Sequence, residues 1–93
     1  MDWNKAEYKK LVAAILSLRT ANETQRFLRD ICTQGEIEEF AKRFKTAGML
    51  LNEVPYSDIT RATGLSSTTI ARVSKWLHHG EGGYQLVLKR LAH

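Results

Sequence analysis

The apolar residues of this chain recur at intervals of three and four positions, and this spacing limits the fold more than any other feature of the sequence. Between Trp3 and Leu18 the apolar positions fall on one side of a helix, whereas they would scatter over both faces of a strand. No segment shows the strict alternation that a half-buried strand requires. We therefore predict an all-α fold whose first helix runs from Trp3 to Leu18. Its apolar positions are Tyr8, Leu11, Val12, Ile15, Leu16 and Leu18.

Two capping signals divide the next part of the chain. Residues 20–23 (Thr-Ala-Asn-Glu) and 33–36 (Thr-Gln-Gly-Glu) each match a capping box, in which the Thr hydroxyl accepts a backbone N–H and the Glu reaches back to the capping residue. They predict the starts of a second and a third helix. The third helix should end before Pro55, because the proline ring restricts the residue that precedes it.

The remaining helices are marked by proline, glycine and serine. Pro55 favours the start of a fourth helix over residues 56–63, and Gly64 ends it, because glycine accepts a left-handed backbone. Ser66 is a capping residue for a fifth helix that reaches His78 or His79. Residues 80–83 (Gly-Glu-Gly-Gly) predict a flexible hinge, followed by a short sixth helix.

The fourth and fifth helices and their short turn, about residues 55–79, predict a helix-turn-helix. Ile59 and Leu65 lie where the two helices must pack together. Ile70, Val73 and Leu77 form an apolar stripe on the fifth helix, which should face inward.

The opposite side of the fifth helix is polar and lightly basic. Hydroxyl side chains near its first turn suit close approach to base edges and phosphates, Arg72 suits a guanine edge or a phosphate, and Lys75 suits a phosphate. We predict that this helix enters the major groove of double-stranded DNA. The candidate DNA-binding residues are Ser66, Ser67, Thr68, Thr69, Arg72 and Lys75.

Length and charge are consistent with that prediction. The 93 residues fit one domain spanning residues 1–93, and the net charge is +4. Residues 55–93 are the more basic part, with five Lys/Arg against two Asp/Glu. No apolar run is long enough to cross a membrane and no secretory signal precedes the first helix, so we expect a cytoplasmic protein.

The sequence gives little support for an enzyme or for a metal-binding protein. Cys32 is the sole cysteine, which rules out an internal disulfide and indicates a small core residue. His78 and His79 are adjacent and point about 100° apart on a helix, so we expect no metal site and no cofactor. An enzyme of the chorismate mutase kind would need an inward-facing cationic cluster. We expect no enzyme; the main alternative is a helical protein–protein interaction module without DNA binding.

Several short motifs resemble the YerC/YecD branch of the Trp repressor superfamily. They are Tyr56-x-x-Ile59, Thr63-Gly64-x-Ser66, Thr69-Ile70-x-Arg72-Val73 and Gly80-x-Gly82-Gly83-Tyr84. The similarity extends upstream through Leu18 to Thr20, Phe27 to Asp30 and Glu36 to Leu50. The resemblance implies a six-helix Trp repressor-like fold and an intertwined homodimer. It also implies a transcriptional regulator, expected to act as a repressor, that reads a palindromic operator.

The same resemblance raises the question of a small-molecule corepressor. In the Trp repressor two arginines bracket the indole of tryptophan, and a glycine gives the ring room. Arg72 matches the second arginine, Lys45 falls at the first, and Val73 replaces the glycine. A lysine cannot stack as a guanidinium does, and a branched side chain takes up space. We therefore expect any effector pocket to involve Lys45 and Arg72 and not to accept tryptophan.

Overall fold

A computed structural model describes residues 1–92, and His93 lies outside the described residues. Over that range the chain forms six α-helices and no β-strand, which confirms the predicted all-α class. The helices are α1 (Ala6–Leu16), α2 (Ala21–Ile31), α3 (Gln34–Leu51), α4 (Tyr56–Thr63), α5 (Ser67–His79) and α6 (Gly83–Leu91).

The chain divides into two compact units, residues 1–37 and the residues from Glu38 onward. The first unit contains α1, α2 and the start of α3, and the second contains the remainder. The single domain expected over residues 1–93 stays a prediction.

In the first unit, side-chain hydrogen bonds fix the helix starts. The Thr33 and Glu36 pair forms the predicted capping box: Thr33 Oγ1 accepts the Glu36 N–H at 3.1 Å, and Glu36 Oε1 accepts the Thr33 N–H at 2.8 Å. The Thr33 backbone N–H, and to a lesser extent its hydroxyl, lower the pKa of the Glu36 carboxyl. At the start of α2, Thr20 caps the Glu23 N–H as predicted, but the Glu23 carboxylate accepts from the Arg19 N–H and not from Thr20.

The first helix is shorter than the sequence predicts. It begins at Ala6 and not at Trp3, because Lys5 at the capping position provides no side-chain hydrogen bond, and it ends at Leu16. No residue of α1 or α2 is buried. Cys32, expected to be a core residue, is half-buried. The apolar residues of α1 therefore lie largely exposed in the single chain.

The second unit holds the hydrophobic core. Ile59, Leu65 and Ile70 form a buried cluster, and Met49, Leu50 and Val54 pack partly buried against it. Val73, Leu77 and Ala47 are also buried. The core therefore joins the end of α3 to α4 and α5, and it anchors the two helices on which the candidate site depends.

The end of α3 forms a turn that the sequence pattern does not predict. The Val54 N–H bonds to the Met49 carbonyl at 3.0 Å, and the Glu53 N–H bonds to the Leu50 carbonyl at 3.0 Å. This is a Schellman motif, and it places Glu53 in the left-handed region, with φ of 59°. The helix thus ends through this turn, which lies before Pro55.

Candidate nucleic-acid interface

The turn between α4 and α5 is short and closely bonded. Gly64 adopts φ of 76°, the left-handed conformation expected from its position, and its N–H bonds to the Thr60 carbonyl at 2.7 Å. The buried Thr63 hydroxyl donates to the Ile59 carbonyl at 2.7 Å and accepts the Leu65 N–H at 3.2 Å. These bonds hold the predicted helix-turn-helix in one geometry.

The fifth helix has one buried and one exposed side. Ile70, Val73 and Leu77 are at most 3% exposed, so the inward stripe lies where the sequence places it. The other side presents a set of exposed residues that we call the exposed α5 face. It consists of Ser67, Thr68, Ala71, Arg72 and Lys75.

Two of the predicted DNA-binding residues are already engaged within the chain. Ser66 Oγ accepts the Thr69 N–H at 3.2 Å, which is the predicted cap, and the Ser66 hydroxyl bonds to Thr69 Oγ1 at 3.2 Å. Thr69 is half-buried. Ser66 and Thr69 therefore stabilise the first turn of α5, whereas Ser67 and Thr68 extend from it into solvent.

The cations of the exposed α5 face are not neutralised by carboxylates. Within residues 1–92 the ion pairs are Glu39 with Arg43 at 3.3 Å and Asp58 with Arg61 at 3.5 Å, and neither involves Arg72 or Lys75. Helix α5 contains no acidic residue. The Lys75 ammonium lies 5.7 Å from the centre of the Trp76 ring, within reach of a cation–π contact. The face is therefore electropositive and suits an anionic partner.

A cavity of about 340 Å³ lies beside the exposed α5 face and shares Arg72 with it. Its walls carry two arginines, and Arg72 shares it with Arg43, not with the predicted Lys45. Lys45 lies two residues beyond Arg43 on α3, about 200° around the helix axis. The complete lining is Glu39, Arg43, Thr69, Arg72, Val73, Trp76 and Tyr84.

Sequence reasoning missed Arg43, Trp76 and Tyr84 at this cavity. Trp76 is 57% exposed in the single chain. A partial signal existed, because Arg72 and Trp76 are four residues apart and so share a side of α5. Arg43 and Tyr84 come from α3 and α6, and only the tertiary fold brings them to the same place.

The two histidines lie at the end of α5. His78 Nδ1 lies 2.9 Å from the Ser74 carbonyl oxygen, and its ring is 6.4 Å from that of His79. In the described part of the chain, no three His, Cys, Asp or Glu residues are grouped so that they could hold a metal ion. No helix within residues 1–92 is both long and apolar enough to span a membrane.

Comparisons with known proteins agree with this geometry. The sequence profile of the Trp repressor protein family matches residues 6–92. The uncharacterized protein YerC of Bacillus subtilis (strain 168) is 39% identical over 85 residues, which cover 91% of this chain and 82% of YerC.

Two solved structures share the fold. A TrpR-like protein from Eubacterium eligens ATCC 27750 superposes with a TM-score of 0.93 at 39% identity, covering 97% of this chain and 93% of that one. A protein from Staphylococcus aureus described as a putative Trp repressor gives a TM-score of 0.90 at 33% identity, covering 99% of this chain and 95% of that one. With its helix-turn-helix and its profile match over nearly the whole length, the chain belongs to the Trp repressor protein family.

Proposed function

We propose that the protein is a sequence-specific transcriptional regulator, a repressor, that reads a palindromic operator in double-stranded DNA. The observation that carries this proposal is the exposed α5 face, on which Arg72 and Lys75 form no ion pair with residues 1–92, while the opposite side of the helix is anchored in the core. Short hydroxyl residues at its first turn allow the helix N-terminus to approach phosphates. Such a regulator works beside the chromosome, so we place it in the bacterial cytoplasm.

The proposal includes a homodimer. Helices α1, α2 and α6 bury no residue, and they expose large apolar side chains that water disfavours. A second copy of the chain would cover these side chains and would present two copies of α5. Two-fold symmetry then requires two half-sites about one helical turn apart. The most exposed examples are Leu16 at 77%, Leu91 at 69%, Ile15 at 54%, Ile31 at 52% and Leu86 at 50%.

The test is selection of bound duplexes from a random pool, followed by titration of the best duplex with variant proteins. Arg72→Ala should weaken specific binding by about 1–3 kcal/mol and relax the preference at one base position of each half-site. Arg90→Ala is the matched control, because Arg90 is also an exposed arginine but lies on α6. A pool that yields no enriched sequence, or equal losses for the two variants, would contradict the proposal.

Salt dependence separates DNA binding from the alternative of a protein–protein interaction module. Binding through several phosphates makes log K fall linearly and steeply with log salt, since cations are released from the DNA. Lys75→Ala should make that slope shallower by about one unit, since one phosphate contact is lost. Binding that is insensitive to salt would favour the interaction module.

We further propose that tryptophan is not an effector of this protein. Val73 and Trp76 line the cavity, and two further lining residues, Glu39 and Arg43, pair with each other. Because Arg43 is already paired, the cavity offers a bound tryptophan fewer unpaired hydrogen-bond donors. Because Val73 and Trp76 take up space, it also offers less room for the indole ring of the ligand. Calorimetric titration with L-tryptophan should give no heat of binding at micromolar concentrations. Micromolar affinity would overturn this part of the proposal.

A further inference from the structure

The corner between α5 and α6, where the sequence predicts a hinge, is short, and one of its glycines has no room for a side chain. Only Gly80, Glu81 and Gly82 separate the two helices. At Gly80 an added Cβ would overlap the Trp76 carbonyl oxygen, so a side chain there would force the backbone to move. The Gly80 N–H bonds to that same carbonyl at 3.0 Å. The exit from α5 at Gly80 therefore accepts no side chain, whereas an added Cβ at Gly82 or Gly83 would meet nothing within 4 Å.

A side chain of α6 closes this corner. The Gln85 Nε2 amide donates to the Leu77 carbonyl oxygen at 2.7 Å. Leu77 lies in the last turn of α5, where carbonyl groups have no partner within the helix. The side chain of the same residue is 1% exposed. The bond thus ties the first turn of α6 to the most firmly anchored residue at the end of α5.

We infer that Gln85 is a positioning residue, which fixes the orientation of α5 so that Arg72 meets base edges at one angle. The inference rests on the proposed DNA-binding function and assigns part of its specificity to a residue outside the helix-turn-helix. Bonds from an arginine to a guanine edge carry sequence information and need defined geometry, whereas phosphate contacts carry no sequence information. Loss of the Gln85 bond therefore weakens specific binding more than non-specific binding.

The position of Gln85 also connects the two proposed surfaces. Leu86 and Val87, which follow it on α6, are 50% and 43% exposed and belong to the apolar set assigned to the dimer. The Gln85 bond joins the helix that carries this set to the helix that reads DNA. It is thus suited to hold the two copies of α5 at the fixed separation that a palindromic operator requires.

The first arm of the test is spectroscopic and uses the DNA-free protein. In a ¹H–¹⁵N spectrum the Gln85 side-chain amide should exchange with water more slowly than that of Gln25, an exposed glutamine on α2. Equal exchange of the two amides would show that the bond does not persist in solution, and it would overturn the inference.

The second arm uses Gln85→Met, a neutral replacement of similar length and helix propensity that has no donor. Specific affinity for the selected duplex should fall about 3- to 10-fold, while affinity for a random duplex and the salt slope stay unchanged. Gln25→Met is the matched control and should change neither the specific nor the non-specific affinity. Gln85→Arg keeps a side-chain donor, so it should restore the ratio of specific to non-specific affinity.

The outcomes separate the two proposals. A wild-type protein that binds no duplex contradicts the proposed function. A wild-type protein that binds its duplex, with a Gln85→Met variant that keeps the same ratio of affinities, overturns the positioning role alone. Equal losses of specific and non-specific affinity in Gln85→Met, without rescue by Gln85→Arg, would show a general loss of folding and would also contradict the positioning role.

Discussion

The helix-turn-helix and the N-terminal helices have the same kind of apolar spacing, but the apolar residues of the two regions are covered to different extents. In α4 and α5 the apolar stripe is covered by the chain itself, and Ile59 and Ile70 are fully buried. In α1 the stripe is as regular, yet Ile15 is 54% exposed. The comparison shows that helical periodicity indicates which residues must be covered, but not whether the cover comes from the same chain.

The largest expected effect contrasts one isoleucine from each region. Ile59→Ala removes fully buried methyl groups and leaves a cavity, so it should lower the free energy of unfolding by roughly 2–5 kcal/mol. Ile15→Ala should instead raise the dissociation constant of the dimer about tenfold, because its side chain is covered only by the partner in our proposal. Urea unfolding and sedimentation equilibrium measure the two quantities.

Lys10→Ala is the control on α1, where Lys10 is exposed and charged. It should alter neither the dissociation constant nor unfolding. If Ile15→Ala destabilised the protein as much as Ile59→Ala at every protein concentration, α1 would be covered within its own chain and the comparison would fail.

A pair of buried threonines sharpens the comparison within the second unit. The Thr63 hydroxyl makes two hydrogen bonds, as donor to the Ile59 carbonyl and as acceptor from the Leu65 N–H. Thr63→Val should therefore lower the free energy of unfolding by about 1–3 kcal/mol. Thr46 is fully buried, and its hydroxyl has no hydrogen-bond partner among residues 1–92. Thr46→Val keeps the shape and removes the unpaired hydroxyl, so it should raise the free energy of unfolding by about 1 kcal/mol.

Thermal unfolding followed by circular dichroism distinguishes the two substitutions by the sign of the change in stability. Because the side-chain change is identical, any general preference for valine over threonine in a helix cancels between them. A stabilisation by Thr63→Val, or a loss of more than about 1 kcal/mol in Thr46→Val, would contradict this account of the two hydroxyls.

Local features of the structure could be predicted from the sequence because they depend on neighbouring residues. The capping box of Thr33 and Glu36, the left-handed Gly64 and the Ser66 cap lie where the pattern indicates. The buried stripe of α5 also follows from local periodicity. All of these interactions span four residues or fewer.

What the sequence could not predict depends on distant residues or on competing acceptors. Arg43 reaches the cavity from α3, and Gln85 bonds to a carbonyl eight residues away. Glu23 bonds to Arg19 and not to Thr20, since two adjacent N–H groups compete for its carboxylate. Trp76 is exposed although aromatic residues favour burial, and it lies outside the buried stripe of Ile70, Val73 and Leu77. Such contacts become apparent only in the folded structure.

The smallest expected effect concerns the entrance to the helix-turn-helix, where Glu53 occupies a left-handed conformation with φ of 59°. Such a backbone costs an L-residue roughly 1–2 kcal/mol, and glycine avoids most of that cost while losing more chain entropy on folding. Glu53→Gly should therefore stabilise the protein by only about 0.5–1 kcal/mol, measured by urea unfolding.

Glu81→Gly is the matched control for this substitution. It removes the same charge and adds the same flexibility to the unfolded chain, but in the described residues Glu53 is the sole non-glycine with positive φ, so Glu81 carries no such strain. Glu81→Gly should be neutral or slightly destabilising. If both variants were stabilised equally, the gain would come from removing negative charge near a helix end, and the cost assigned to the left-handed Glu53 would be wrong.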